Sequence, residues 1–514
     1  MDSRRAFGHL RAPSAAQLSE YARRHHFNLD HMQAAELVPV VAATLARFDV
    51  IDELPPPPPP RLRFTDRDPG REPSRHEDPF NAFIRICRVA GSPEGPLAGL
   101  RAGIKDCIAV AGVPTTNGSR MQPGHTPTED AVVVERLLAA GAEIVGKTNM
   151  EDLAMGLGED TPFGAARNPR DPAYSTGGSS SGSAAAVAAG MVDFALGADE
   201  GGSIRIPSAW CGLVGMKASH GLVPSYGLTY FDHSIDHIGP ITRTVAENAA
   251  VLSVIAGPDD RDPQWVRNLP DRLDAQSLLG QNVAGMTAVV VEEALAPAGC
   301  TEDVLDVFER ATETLTSIGV NVRRVSIPLW AHAWSIEIAV LAFGVRAMFD
   351  SFGAGYGHFG RIDVAATAVN AAQQRTSADD LPPLTRLLLL VTEHLRDAYL
   401  GTHYGRAQNL RRELRRQIDG ALSNADVLLT PTCPMVAIKL LDRRAGLIEM
   451  LGRMPVNAAF NTCPTDLSGH PSLTVPAGVG AHELPVGLQL IGAMWSEATL
   501  YQLGSAFERT ASVK

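Results

Sequence analysis

Two serine clusters, each following a pair of glycines, flank an alanine-rich segment. The first reads Gly177-Gly-Ser-Ser-Ser-Gly-Ser183 and the second reads Gly201-Gly-Ser203. Because glycine has no side chain, backbone N–H groups beside a serine can approach a reacting atom closely and hold the oxyanion that forms when a hydroxyl attacks a carbonyl. This pattern predicts an acyl-transfer site.

Ser203 lies among the candidate donors for such an oxyanion. The N–H groups of Glu200, Gly201, Gly202 and Ser203 can converge on one point if the turn is tight, which the two glycines allow. A serine hydroxyl also needs a base, and no histidine lies near these serines in the sequence. A lysine in an apolar run can serve, because loss of solvent disfavours its charged form, and Lys105 lies in such a run.

These residues resemble the amidase signature family of hydrolases. The resemblance covers about residues 80–510 and is closest to the bacterial enantioselective amidases that carry an additional N-terminal helical domain. Ser181 departs from the pattern at a position that is often glycine, and Glu200 stands where those amidases more often carry a neutral residue. Further segments that carry the resemblance are 146–156, Asp236-His-Ile-Gly-Pro240 and Gly469-His-Pro-Ser472.

The resemblance implies a role for each residue of the predicted site. Ser203 would be the nucleophile, and Ser179 would be a bridging serine that follows a cis Gly178–Ser179 peptide bond. Lys105 would be the base at the end of the relay. No cofactor and no metal ion is implied.

The residues that flank the second serine cluster would support it. By the same resemblance, Asp199 and Arg205 form an ion pair that shapes the oxyanion turn. The side chain of Glu200 leaves two possibilities open. Its carboxylate either points inward, close to where negative charge develops, or faces outward and pairs with a lysine or arginine.

Three other motifs match known patterns by accident. Residues 141–148 fit the phosphate-binding P-loop, but Glu143-Ile-Val-Gly146 reads as a strand rather than as the loop after one. Ser180 sits in a G-x-S-x-G pattern, yet the segment before it is rich in turns instead of being a buried strand. His233 and His237 are more consistent with histidines bonded to backbone in a loop than with metal ligands.

Composition narrows the class of protein. The chain has 514 residues, 45% of them apolar, and a net charge of −12 that is spread along the sequence. Nothing in it favours binding to nucleic acid or to a membrane. Its six scattered cysteines and the absence of an apolar leader predict a cytoplasmic protein.

A run of prolines marks a domain boundary. Pro55 to Pro60 must be extended, and the residues before it have helical periodicity. The sequence therefore predicts an N-terminal helical domain over residues 1–60, which ends in a polyproline linker, and a catalytic domain over residues 61–514. By resemblance, the small domain would help the chain to form a homodimer.

Strand-like and helical runs alternate after the linker. The predicted strands include Ile104–Val110 and Val486–Ile491, and the predicted helices include Thr301–Ile318 and Tyr404–Leu422. This alternation predicts an α/β fold. The resemblance specifies it as a mixed, twisted sheet covered by helices on both faces.

The main functional prediction is an amidohydrolase that cleaves a small-molecule carboxamide, or a related hydrazide or carbamate, through an acyl-enzyme. An alternative is the amidotransferase subunit of a tRNA-dependent complex that releases ammonia from glutamine. Such subunits carry an aspartate for the glutamine α-amine where Ala459 aligns, and the N-terminal domain also speaks against this alternative. A binding protein with an inactive site is disfavoured by the intact Lys105, Ser179 and Ser203.

Overall fold

The computed structural model describes residues 10–511 except 56–57, 59–60, 122–124, 157–160, 265, 267–268, 271–272, 296–299, 356–361, 441–446 and 454–455. The chain divides into two compact units, Met1–Arg61 and Leu62–Lys514. Four of the six residues of the predicted proline linker lie outside the described residues.

The first unit contains two helices, α1 (Ala15–Arg24) and α2 (His31–Glu53). Each begins at a capping box, in which the side chain before the helix and a glutamine three residues later bond each other's backbone N–H groups. These reciprocal bonds satisfy donors that the first turn of a helix leaves free, which explains why both helices start where they do.

The second unit is built on one mixed sheet. Its described strands are β1 (Arg67–Arg71), β2 (Phe83–Val89), β3 (Arg101–Lys105), β4 (Glu143–Thr148), β5 (Phe194–Asp199), β6 (Val214–Lys217), β7 (His237–Thr242), β8 (Thr287–Val291), β9 (Asn321–Val325), β10 (Val427–Pro431), β11 (Ser472–Val479) and β12 (Pro485–Ile491). They lie side by side in the order β1-β2-β4-β3-β5-β7-β6-β11-β12-β10-β8-β9. The pairs β4–β3, β3–β5, β10–β8 and β8–β9 are parallel, and the other pairs are antiparallel.

The described helices of this unit are α3 (Val132–Ala139), α4 (Ser181–Ala188), α5 (Arg205–Cys211), α6 (Val245–Ile255), α7 (Glu302–Ser317), α8 (Ala333–Asp350), α9 (Val364–Thr376), α10 (Pro383–Tyr399), α11 (His403–Leu422), α12 (Leu447–Arg453), α13 (Cys463–Ser468) and α14 (Glu497–Ala511). Residues of α3, α6, α7 and α14 pack on one face of the sheet. Residues of α4, α8, α11 and α13 pack on the other.

Successive strand residues serve these two layers in turn. On β8, Val290 belongs to the core under the first set of helices, whereas Val289 belongs to the core under the second. Leu429 and Leu428 of β10 divide in the same way. Side chains alternate across a strand, so apolar residues at every position bury both faces. The predicted α/β fold with helices on both faces of a mixed sheet is confirmed.

The bounds of one predicted strand were wrong. The run Ile104–Val110 was expected to be a single strand, but β3 ends at Lys105 and the N–H of Ile108 closes a turn onto the Lys105 carbonyl at 2.9 Å. Asp106 stabilises this bend, because its carboxylate accepts the N–H of Thr116 at 2.8 Å. The apolar residues after the turn are buried as a loop, which periodicity does not distinguish from a strand.

Candidate active site

Lys105 is held at the carboxyl end of β3, next to the end of β5. The two strands are parallel, with Ala102 paired to Phe194 and Ile104 paired to Leu196. The Lys105 side chain is fully buried, and its Nζ donates to Ser179 Oγ at 2.8 Å and to the Ala198 carbonyl at 3.3 Å. The carboxyl ends of neighbouring parallel strands are where α/β sheets commonly place their ligands.

The first serine cluster lies against the second. The peptide bond between Gly178 and Ser179 is cis. The next residue, Ser180, donates its N–H to the Ser203 carbonyl at 3.2 Å and its hydroxyl to the Ala198 carbonyl at 3.1 Å. The structure therefore brings Lys105, Ser179 and the Ser203 backbone together, and the Ser180 hydroxyl is occupied by a main-chain bond rather than available for attack.

The turn from β5 into α5 has the tight geometry that its glycines predict. Gly202 has a φ of +132°, and a Cβ built on it would lie 2.3 Å from Thr462 Oγ1, so only glycine fits. The Thr462 hydroxyl donates to the Gly201 carbonyl at 2.6 Å and fixes the turn from the opposite side.

One of the four predicted oxyanion donors is already engaged. The N–H of Gly202 donates to Asp199 Oδ1 at 2.6 Å, and the N–H of Ile204 donates to Asp199 Oδ2 at 3.0 Å. The carboxylate of Asp199 thus organises the turn through its backbone. Gly202 contributes its conformation, while Gly201 and Ser203 stand on either side of it.

Asp199 and Arg205 form a buried ion pair. The Arg205 guanidinium bonds Asp199 Oδ2 at 3.0 Å through Nε and Asp199 Oδ1 at 2.9 Å through a terminal nitrogen, and both side chains are fully buried. Burial alone would raise the pKa of Asp199, but the charge and hydrogen bonds of Arg205 lower it to about 2. A bidentate pair of this kind fixes orientation as well as charge.

The sequence reasoning missed the remaining partners of Arg205. Its guanidinium also bonds Asp466 Oδ2 at 2.6 Å, across 261 residues of sequence, and Thr465 Oγ1 at 2.6 Å. Both lie on α13 with Thr462 just before the helix. No local motif marks these residues, because their role depends on a contact made only in the folded chain.

Glu200 points into the protein. Its side chain is 6% exposed, and within the described residues it forms no ion pair with a lysine or arginine. Burial raises the pKa of its carboxyl to about 7, opposed by the charge of Lys105 and assisted by that of Asp199. Its negative charge in turn contributes to raising the pKa of Asp236, after burial. Of the two orientations left open by the sequence, the structure has the inward one.

The accidental motifs take no part in this site. Lys147, from the P-loop match, is a buried residue of β4 whose Nζ donates to the Ile108 carbonyl at 2.8 Å and to Thr115 Oγ1 at 2.9 Å. His237 lies on β7, not in a loop as predicted, and its Nδ1 is 2.7 Å from the Ile235 carbonyl. Across the described residues, no group of three or more histidine, cysteine or acidic side chains could hold a metal ion.

One described helical segment, Pro328–Asp350, satisfies the length and hydropathy expected of a membrane span. Buried helices in protein cores satisfy the same criterion, and seven residues of α8 within this segment are buried against other parts of the chain.

Comparison with known proteins adds the context of this geometry. The family model described as Amidase matches residues 85–501. A curated relative from Exiguobacterium, named as the first subunit of glutamyl-tRNA(Gln) amidotransferase, is 38% identical over 87% of this chain and 92% of its own. Other curated relatives that are 36 to 40% identical carry the same name.

Solved structures show the same kinship. The protein of that name from Thermotoga maritima superposes with a TM-score of 0.66 at 32% identity, covering 83% of this chain and 85% of the other. The peptide amidase of Stenotrophomonas maltophilia gives the same TM-score and identity, covering 81% and 84%.

These comparisons correct the main functional prediction. The sequence predicts a homodimeric hydrolase of a small-molecule carboxamide with no other macromolecular partner. That prediction is wrong, because the curated relatives that match most of the chain are named as subunits of glutamyl-tRNA(Gln) amidotransferase. The residues of the acyl-transfer site are common to both kinds of enzyme, so they could not separate the two.

Proposed function

Because the chain belongs to the amidase family and is an enzyme that hydrolyses amide C–N bonds, we propose that it is the amide-hydrolysing subunit of an amidotransferase. In this role it releases ammonia from glutamine, and a partner protein uses the ammonia to amidate glutamyl-tRNA. The observation that carries the proposal is the shared name of curated relatives that cover 83 to 89% of the chain.

The proposed chemistry begins with a proton relay. Lys105 takes a proton from Ser179, and Ser179 takes one from Ser203 as the Ser203 Oγ bonds to the carbonyl carbon of the side-chain amide. The buried contact of 2.8 Å between Lys105 Nζ and Ser179 Oγ supports the first half of this relay. When the C–N bond breaks, the proton returns to the nitrogen and ammonia leaves. Water then attacks the acyl-enzyme by the same route and releases glutamate.

The proposed oxyanion site uses the turn that follows β5. The N–H groups of Gly201 and Ser203 are the donors we assign, since the N–H of Gly202 is bonded to Asp199. Arg205 holds Asp199 in place by two hydrogen bonds, so the positions of these donors are set before substrate binds. Fixed donors need no reorganisation as charge develops, which is why such an arrangement lowers a barrier.

Single variants test the relay. Ser203→Ala should lower kcat by about three orders of magnitude or more, equivalent to roughly 4 kcal/mol of barrier. Lys105→Ala should cost nearly as much and Ser179→Ala somewhat less, and double variants should be far from additive. Ser180→Ala is the matched control, because its hydroxyl serves only main-chain bonds. Activity lost in Ser180→Ala but kept in Ser203→Ala would refute the assignment.

Two assays test the biological role. The purified chain is incubated with L-glutamine and released ammonia is measured. It is then combined with the remaining subunits of a glutamyl-tRNA(Gln) amidotransferase, and glutamine-dependent amidation of the charged tRNA is followed. We expect both activities to depend on Ser203. Failure to turn over glutamine, with rapid hydrolysis of unrelated amides, would refute the proposal.

The proposal also places the chain in the cytoplasm, where charged tRNA is made. The cysteines support this location, because all six are free in the structure.

A further inference from the structure

A buried carboxyl group faces the proposed oxyanion turn from α8. The side chain of Glu337 is completely buried. A Cβ built on Gly201 would lie 4.0 Å from Glu337 Oε1, and it would touch no other non-neighbouring atom within that distance. The carboxyl group and the turn therefore border the same space, and Gly201 leaves that space open.

Neither oxygen of Glu337 has a hydrogen-bond partner among the described residues. Buried polar groups in proteins are almost always bonded, and a free one carries the full cost of losing its water. The other buried acids nearby are already in use. Arg205 bonds Asp199 and Asp466, and Asp236 accepts the N–H of Phe231 at 3.0 Å.

The surroundings of Glu337 show what it lacks. Burial, followed by the negative charge of Asp466, raises the pKa of Glu337 well above its ordinary value, and the charge of Arg411 opposes this only in part. A positive charge brought next to the carboxyl group would offset its burial. Such a charge must come from a ligand, because no cationic side chain of the described residues bonds it.

We propose that Glu337 is a specificity-determining residue that binds an ammonium group of the substrate, the α-ammonium of glutamine. This inference rests on the proposed function for the identity of the amide. Glutamine carries its α-ammonium a short aliphatic chain away from the reacting amide, so a carboxylate beside Gly201 can meet it while the amide carbon lies at Ser203. The pair would be a desolvated, charge-assisted hydrogen bond.

Position 459 makes the same need visible from the other side of the turn. Ala459 is buried and has no polar side chain, and its carbonyl accepts the Thr462 hydroxyl that also reaches Gly201. A substrate ammonium in this space would therefore meet no charge at residue 459. The carboxylate on α8 supplies one.

Four matched amides test the inference in the full-length chain. L-glutamine carries both charged groups, 4-aminobutanamide lacks only the carboxylate, glutaramate lacks only the ammonium, and butanamide lacks both. We expect Glu337→Gln to lower kcat/KM for glutamine and 4-aminobutanamide by about 30-fold or more, mainly through KM. For glutaramate and butanamide the change should stay within about threefold.

The control is Glu497→Gln. Glu497 is also a fully buried glutamate, but its carboxylate accepts the N–H of Ser219 on the far side of the network from Ser203. It should not discriminate among the four amides. Equal losses for all four amides in Glu337→Gln, or none, would show that Glu337 is only a structural acid and would overturn the inference.

A binding measurement covers the cases in which turnover or folding fails. In a Ser203→Ala background, calorimetry with 4-aminobutanamide and butanamide measures the preference for the ammonium group directly, with Glu337 present. A preference of about 30-fold or more supports the inference, and equal affinities overturn it. A wild-type chain that ignores glutamine yet prefers 4-aminobutanamide through Glu337 would refute the proposed function alone. Glutamine turnover unaffected by Glu337→Gln would refute the inference alone.

Discussion

Replacing Glu200 by glutamine should remove a pH-dependent cost from the folded state. The carboxyl group of Glu200 is buried beside Lys105, Asp199 and Asp236, and its pKa is raised from 4.5 to about 7, chiefly by burial. Glutamine has nearly the same shape and cannot ionise. The variant therefore isolates the effect of the carboxyl group on stability.

The sign of the effect follows from the direction of the shift. Below pH 4.5 the group is protonated in both the folded and the unfolded chain, so burying it costs no ionisation energy. Between pH 4.5 and about 7 the unfolded chain releases a proton that the folded chain retains, and stability is lost as pH rises through the folded pKa. At about 1.4 kcal/mol for each pKa unit, the full loss is about 3 kcal/mol.

The assay is urea unfolding of wild type and Glu200→Gln, followed by tryptophan fluorescence at pH 5, 6, 7 and 8. The stability of the variant relative to wild type should rise by about 2–3 kcal/mol across this range. Asp236 changes in the same direction, because the variant removes a negative charge that raises its pKa. Glu309→Gln, on the exposed side of α7, measures the effect of removing a solvated carboxylate. A stability difference between Glu200→Gln and wild type that stays constant within about 0.5 kcal/mol would refute the reasoning.

Three further variants test the turn and its support. Gly202→Ala places a Cβ 2.3 Å from Thr462 Oγ1 at a φ of +132°, so kcat should fall by about 100-fold or more, and near-normal turnover would contradict the assigned geometry. Thr462→Val removes the 2.6 Å bond to the Gly201 carbonyl and should lower kcat more than it raises KM, in steady-state kinetics with glutamine. Arg205→Met leaves two buried aspartates without their partner and should cost about 3–5 kcal/mol of stability, so an unchanged thermal melt would be incompatible with the network.

The fold class could be predicted because strands and helices differ in the period of their apolar residues. That local signal indicated the α/β alternation, and it also placed α7 and α11 within two residues of their ends. It failed at β3, where buried loop residues continue an apolar run beyond Lys105. Strand order is not a local property, and the neighbours β11 and β6, which lie far apart in sequence, could not be read from periodicity.

The function was the larger error, and its cause is physical. The reacting groups of an acyl-transfer site are the same whether the amide belongs to a small carboxamide or to glutamine. The choice between them depends on side chains that contact the rest of the substrate. Such residues come from distant segments, as Glu337 on α8 illustrates beside Gly201, and no short motif records them.

By itself, the sequence determined the chemistry that is local. Glycines at 201 and 202 dictate a turn that other residues cannot form, and that conformation follows from residues adjacent in the chain. The tertiary structure decided what surrounds the turn. It brought Asp466 to Arg205 across 261 residues, turned the Gly202 N–H toward Asp199, and buried Glu337 without a partner among the residues that the structure describes. Those contacts depend on packing between layers of the fold, which the order of residues along one segment does not specify.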